Sequence, residues 1–119
     1  DIRTGETLWK NRRRAPYNTA ALTTAGGLVF VGDWDRHIFA YDTDTGETRW
    51  ESRLTTMANG YPITYAVDGT QYVAFVAGSP LGGASWAATV PNDLLPELRN
   101  PRNAGNAIFV FALPEGDLQ

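Results

Sequence analysis

The residues best able to do chemistry crowd into one stretch, Asp33-Trp34-Asp35-Arg36-His37. Two carboxylates this close can hold a calcium ion or divide general-acid and general-base work. They also suit a hairpin tip, where Asp side chains bond turn amides, and that is the reading adopted for them. His37 is the only histidine. No second His or Glu is spaced to complete a metal site with it, so no metal ligand is assigned. Its place at a strand start gives it a structural or surface role. Trp34 is read as packing between loops or repeats. Ser79 and Ser85 have no visible base partner for nucleophilic work. Gly82-Gly83 beside Ser79-Pro80 lacks the strand, glycine loop and helix order of a phosphate cradle. No catalytic residue is assigned in this chain.

Composition narrows the classes further. The chain has 119 residues, 43% hydrophobic and 19% charged, which is a folding composition for one small domain. Ten Lys and Arg against thirteen Asp and Glu leave a net charge of −3, which argues against broad nucleic-acid binding. Four of the ten basic residues lie in Lys10-Asn11-Arg12-Arg13-Arg14. That run reads as a solvated loop, with an anionic partner or carboxylated substrate as the alternative. No cysteine is present, so disulfides, thiolate zinc sites, c-type haem attachment and a Cys nucleophile are excluded. No apolar run approaches the roughly 18 residues of a transmembrane segment. The chain opens on Asp1 and runs straight into a patterned segment, so it reads as a piece of a longer protein.

A repeat must position these groups. Asp1-Ile2-Arg3-Thr4-Gly5-Glu6-Thr7-Leu8-Trp9 recurs 41 residues later as Asp42-Thr43-Asp44-Thr45-Gly46-Glu47-Thr48-Arg49-Trp50, with six of nine positions identical. A weaker third copy ends in Phe111-Ala112-Leu113-Pro114, displaced by an insertion over residues 79–106. Within a unit, short β-branched and aromatic runs alternate with Gly and Asp turns. Strands are expected at residues 20–24, 28–32, 37–42 and 48–54, then 61–66, 71–77 and 107–113. Residues 6–11 are expected to be the last strand of a preceding unit. The best helix candidate, residues 92–98, is interrupted by Pro96. Four short strands per period of about 41 residues describe a β-propeller blade. The fold class is therefore all-β: a partial β-propeller of under three blades of antiparallel strands. Residues 1–11 give the last strand of one blade and 18–54 one full blade. Residues 61–113 give an incomplete last blade with the loop 79–106 inserted.

Ala40-Tyr41-Asp42-Thr43-Asp44-Thr45-Gly46-Glu47-Thr48-Arg49-Trp50 fits the pattern A-x-D-x-x-T-G-x-x-x-W. It resembles the tryptophan-docking motif of the quinoprotein dehydrogenases, eight-bladed propellers that use pyrroloquinoline quinone (PQQ). The segments 24–32, 62–74 and 106–113 resemble the late blades of the same family. The resemblance implies the C-terminal part of such an enzyme, with Trp9, Gly46 and Trp50 as the structural docking residues.

Strands alternate direction, so residues 10–19, 33–36, 55–60 and 79–106 are expected on one face. Long loops on a rigid scaffold carry function more often than short ones. By resemblance, PQQ lies on the propeller axis near this face. Its late-blade contacts map onto Asn18, Thr19, Gly78 and Ser79. Trp86, in the long loop, reads as a cap on that loop's own small core, with lining a substrate entrance as the alternative. The methanol-dehydrogenase-like pattern has Trp where Asn18 stands and Gly-Trp where Gly78-Ser79 stands. The catalytic Asp and the Ca²⁺ ligands lie in earlier blades of the family. The resemblance further implies oxidation of an alcohol, sugar or polyol, a cytochrome or ubiquinone acceptor and a periplasmic location. The remaining blades, from the parent or a companion chain, are the expected partner, and the 119 residues alone are expected to be inactive. The alternative is a non-enzymatic propeller scaffold for protein–protein interaction built on the same repeats.

Overall fold

A computed structural model describes residues 1–78 and 105–114. Seven strands form two antiparallel sheets. The first sheet runs in the order β1 (Leu22–Thr23), β2 (Leu28–Gly32), β3 (His37–Asp42), β4 (Thr48–Arg53). The second runs β5 (Ala58–Val67), β6 (Thr70–Ala77), β7 (Ala107–Ala112). Two stacked, unclosed antiparallel sheets match the partial propeller that the repeat implied.

Turn chemistry sets the registers. Asp68 and Gly69 both take positive φ, 49° and 82°, and join Val67 to Thr70 in a two-residue hairpin. That is the primed turn whose twist matches the flanking strands. Gly46, at φ 73°, closes the β3–β4 connection, where its N–H donates to the Asp42 carbonyl at 2.9 Å.

Alternation along each strand then builds the core. Leu28, Phe30, Ile38 and Ala40 of the first sheet face Val73, Phe75 and Ala77 of the second, with Leu54 from the connection between them and Ala58 from the head of β5. Each large side chain fully buried here contributes roughly 1.5–3 kcal/mol. The opposite face of the second sheet carries Ile63, Tyr65, Val67, Val76, Ile108 and Val110, all exposed.

Three elements differ from the sequence expectation, one of them β5, which begins at Ala58 where Tyr61 was expected. The first inner strand shrinks from residues 20–24 to Leu22–Thr23. Its start leaves the β2 ladder and crosses to the next sheet, where Thr19 makes a parallel bridge with Gly60. Residues 6–11 form no ladder among the described residues. A strand is defined by a hydrogen-bonded neighbour, and none of the seven strands supplies one there. The expected helix at 92–98 lies outside the described residues.

Candidate functional site

The repeat turn does its work through one glycine. The Trp9 indole lies against Gly46, and a Cβ placed on Gly46 would sit 2.6 Å from Trp9 Cδ2. Trp9 Nε1–H donates to the Thr43 carbonyl at 2.8 Å, and its ring lies 6.2 Å from Tyr41. Below it, Asp42 Oδ1 accepts from the Asp44 and Thr45 amides at 2.9 and 3.0 Å, while Arg49 Nη2 donates to Asp42 Oδ2 at 2.8 Å. The Arg49 guanidinium, then the two amides, hold the Asp42 carboxyl down at about 2. Trp50, the matching residue of the next copy, packs edge-on to Phe111 with centroids 4.9 Å apart. It borders an apolar cavity of about 270 Å³ shared with Phe30, Val73 and Leu113.

Three of the loops expected on one face, residues 10–19, 33–36 and 55–60, come together. Ala15, Trp34 and Met57, one from each of three loops, form a buried cluster, and Trp34 is only 7% exposed. Trp34 N–H donates to the Pro16 carbonyl at 3.0 Å. Asp33 is fully buried beneath them. Its Oδ2 accepts from Arg13 Nε at 3.2 Å and its Oδ1 from the His37 amide at 3.0 Å. Burial pushes the Asp33 carboxyl up, opposed by the His37 amide and by Arg13. Arg13 therefore departs from the solvated-loop reading: its guanidinium also lies 4.1 Å over the Phe39 ring. A charge over an aromatic face gains about 0.5–2 kcal/mol, which holds this guanidinium against the ring while the side chain stays 32% exposed. Asp35 accepts from Arg53 Nη2 at 2.7 Å, and His37 Nδ1 lies between the two carboxylates, 3.9 Å from Asp33 and 3.6 Å from Asp35.

The inner strands meet beside this cluster. Asn18 Nδ2 donates to the Ala58 carbonyl at 3.0 Å, across the sheet boundary. Thr19 Oγ1 accepts from the Gly32 amide at 2.8 Å, and Ala20 N–H donates to the Gly60 carbonyl at 2.9 Å. Gly78 N–H donates to the Met57 carbonyl at 3.0 Å, and its own carbonyl accepts from Asn59 Nδ2 at 3.2 Å. A Cβ on Gly78 would overlap Asn106. Asn18, Thr19 and Gly78 are thus brought to one rim, linked through Ala58, Asn59 and Gly60. Ser79 and Trp86 lie outside the described residues.

Asn59 and Gly60, which the sequence analysis did not name, complete that rim. The signal was present as Asn59-Gly60, a turn-type pair at the head of a strand. It was passed over because the strand was expected to begin at Tyr61. Gly60 stands at φ 72° with open space where a side chain would be. A flat polar ligand can approach such backbone closely, and the rim offers neutral hydrogen-bonding groups for it. No three His, Cys, Asp or Glu side chains gather as a metal site among the described residues. No helix among them is long and apolar enough to cross a membrane.

Comparison with known proteins places these features in context. The profile of the PQQ glucose/ethanol/alcohol dehydrogenase β-propeller domain matches residues 1–73. The chain is 36% identical to methanol dehydrogenase [cytochrome c] subunit 1 of Methylobacterium organophilum, over 92% of this chain and 19% of that protein. It is 48% identical to quinohemoprotein alcohol dehydrogenase ADH-IIG of Pseudomonas putida, over 57% of this chain and 9% of that one. The structure resembles a europium-containing methanol dehydrogenase with a TM-score of 0.72 at 28% identity, covering 92% of this chain and 21% of the other. The chain therefore spans about a fifth or less of the relatives it matches.

Proposed function

This chain belongs to the family of PQQ glucose/ethanol/alcohol dehydrogenase β-propeller domains, and from that premise we propose that it forms the C-terminal part of an eight-bladed propeller enzyme. The enzyme oxidises an alcohol, sugar or polyol. Within it, residues 1–11 close one blade, 18–54 make a full blade, and 61–113 make an incomplete last blade with the insertion 79–106. The observation that carries the reading is the rim: Asn18, Thr19 and Gly78, named by resemblance as cofactor contacts, are tied together by hydrogen bonds through Ala58, Asn59 and Gly60.

PQQ, when bound, supplies the hydride acceptor. The residues of this chain bind and orient it: the rim offers a rigid, neutral wall, and the cluster of Ala15, Trp34 and Met57 keeps water from the back of that wall. The catalytic base and a Ca²⁺ ion belong to other parts of the parent, and a cytochrome or ubiquinone receives the electrons. The parent works in the periplasm. The partners of this chain are the other blades. Two features support this: the exposed apolar face of the second sheet, of a kind that marks a contact surface, and the outer edge of β7, which has no second neighbour among the described strands. The 119 residues alone are inactive.

One observation favours the second reading, a non-enzymatic scaffold. The Asn18 amide and the Thr19 hydroxyl are both engaged in bonds that staple the sheets. The test is reconstitution of the cofactor-free full-length protein with PQQ and Ca²⁺, following reduction of an artificial electron acceptor. Alcohol-dependent reduction that requires PQQ is the expected result. Neither PQQ uptake nor turnover with any alcohol, sugar or polyol would overturn the enzyme in favour of the scaffold.

A further inference from the structure

The inner strand β5 does not run straight through its ladder. Its register breaks between Asn59 and Ile63. Bulges of this kind bend a strand and re-aim a side chain, and they gather beside active sites. This one is tied on both sides. Ala20 N–H holds the Gly60 carbonyl, Asn59 Nδ2 holds the Gly78 carbonyl, and the Pro62 ring is buried. The residue that the bulge presents is treated differently. Tyr61 is 82% exposed, the highest value for any aromatic side chain among the described residues. Its hydroxyl has no hydrogen-bond partner among them. The parallel bridge from Thr19 to Gly60 makes Tyr61 the next residue in the chain after a rim position.

A backbone anchored this firmly spends its order on presenting one phenol beside the rim. An aromatic ring offers a flat apolar surface, and its O–H donates well to a carboxylate. Those are complementary to a planar quinone that bears carboxylates. We propose that Tyr61 is a cofactor-contacting residue, delivered by the β5 bulge onto PQQ alongside Asn18 and Thr19. This rests on the functional reading above and extends the rim to the next inner strand.

The experiment titrates PQQ into the cofactor-free full-length protein and follows quenching of tryptophan fluorescence. Tyr61→Ala is expected to weaken PQQ binding at least tenfold, with the thermal midpoint of the cofactor-free protein unchanged. A second measurement covers a variant that fails to fold. Nitration of Tyr61 in the wild-type protein, read by peptide mass, is expected to proceed without PQQ and to be suppressed by it. Equal PQQ affinity in wild type and Tyr61→Ala overturns the proposal and leaves the functional reading standing. So does a Tyr61 that resists nitration without PQQ, because another part of the protein then covers it. Wild-type protein that takes up no PQQ overturns both.

Discussion

Asp1–Trp9 and Asp42–Trp50 are the same motif in two settings. Locally they agree. Gly5 and Gly46 take φ of 74° and 73°, and each donates its N–H to the carbonyl four residues earlier, at 2.7 and 2.9 Å. Asp1 and Asp42 each accept from the amide two residues on. Beyond the turn they diverge. Gly46 lies under the Trp9 indole, whereas nothing lies within 4 Å of a Cβ on Gly5. Trp9 has a glycine seat and a carbonyl acceptor; Trp50 has the Phe111 ring. The third repeat places Pro114 where the second has Asp42, so the turn that would seat Trp50 is not encoded there. The turn is thus a property of the motif, and the docking is a property of its neighbour.

Substitutions can break that comparison. Gly46→Ala combines a left-handed backbone, costing about 1–2 kcal/mol, with overpacking against Trp9 of about 1–3 kcal/mol. A loss of about 3 kcal/mol in urea unfolding is expected. Phe111→Ala removes a half-buried ring from the second seat and should cost about 2 kcal/mol, with Trp50 emission moving to the red. Trp9→Phe keeps a ring on Gly46 but deletes the bond to Thr43, for about 1 kcal/mol. Gly5→Ala meets only the backbone penalty, also about 1 kcal/mol. If Gly5→Ala cost as much as Gly46→Ala, the glycine would serve conformation alone and the seat would count for nothing.

The smallest effect is electrostatic and sharpens the comparison of turns. Asp42 has its folded pKa lowered from 3.8 to about 2. Its contribution is present above pH 3.8 and is lost as pH falls toward 2. Asp42→Asn should therefore lower stability slightly at pH 7 and flatten the acid limb, the variant converging with wild type near pH 2, as acid titration by circular dichroism would read. An acid limb identical to wild type would remove Asp42 from the account. Asp33 runs the other way: burial raises its pKa, so its contribution is largest below 3.8 and declines as pH rises through the folded value.

Local chemistry was legible in the residues. Asp68-Gly69 announced a two-residue hairpin because few residues accept two successive positive φ values. The runs at β2, β3 and β6 are short, apolar and rich in β-branched and aromatic residues, as strands buried on both faces are. The rim was only partly legible. Asn18, Thr19 and Gly78 came from resemblance, while Asn59 and Gly60 did not, because a bulge is invisible until its partner strand is known. Arg13 was read as solvated with its neighbours, since charge runs usually are. Its contacts are with Asp33 and Phe39, 20 and 26 positions away in the sequence.

By itself, the sequence determined the turns, the strand periods and the repeat, because each follows from φ preferences and side-chain alternation over a few neighbouring residues. Tertiary structure decided which tryptophan meets a glycine, which carboxylate loses its water and which inner strands join at the rim. Those outcomes depend on groups far apart in the chain, and only the packing of one sheet on the other brings them within hydrogen-bonding distance.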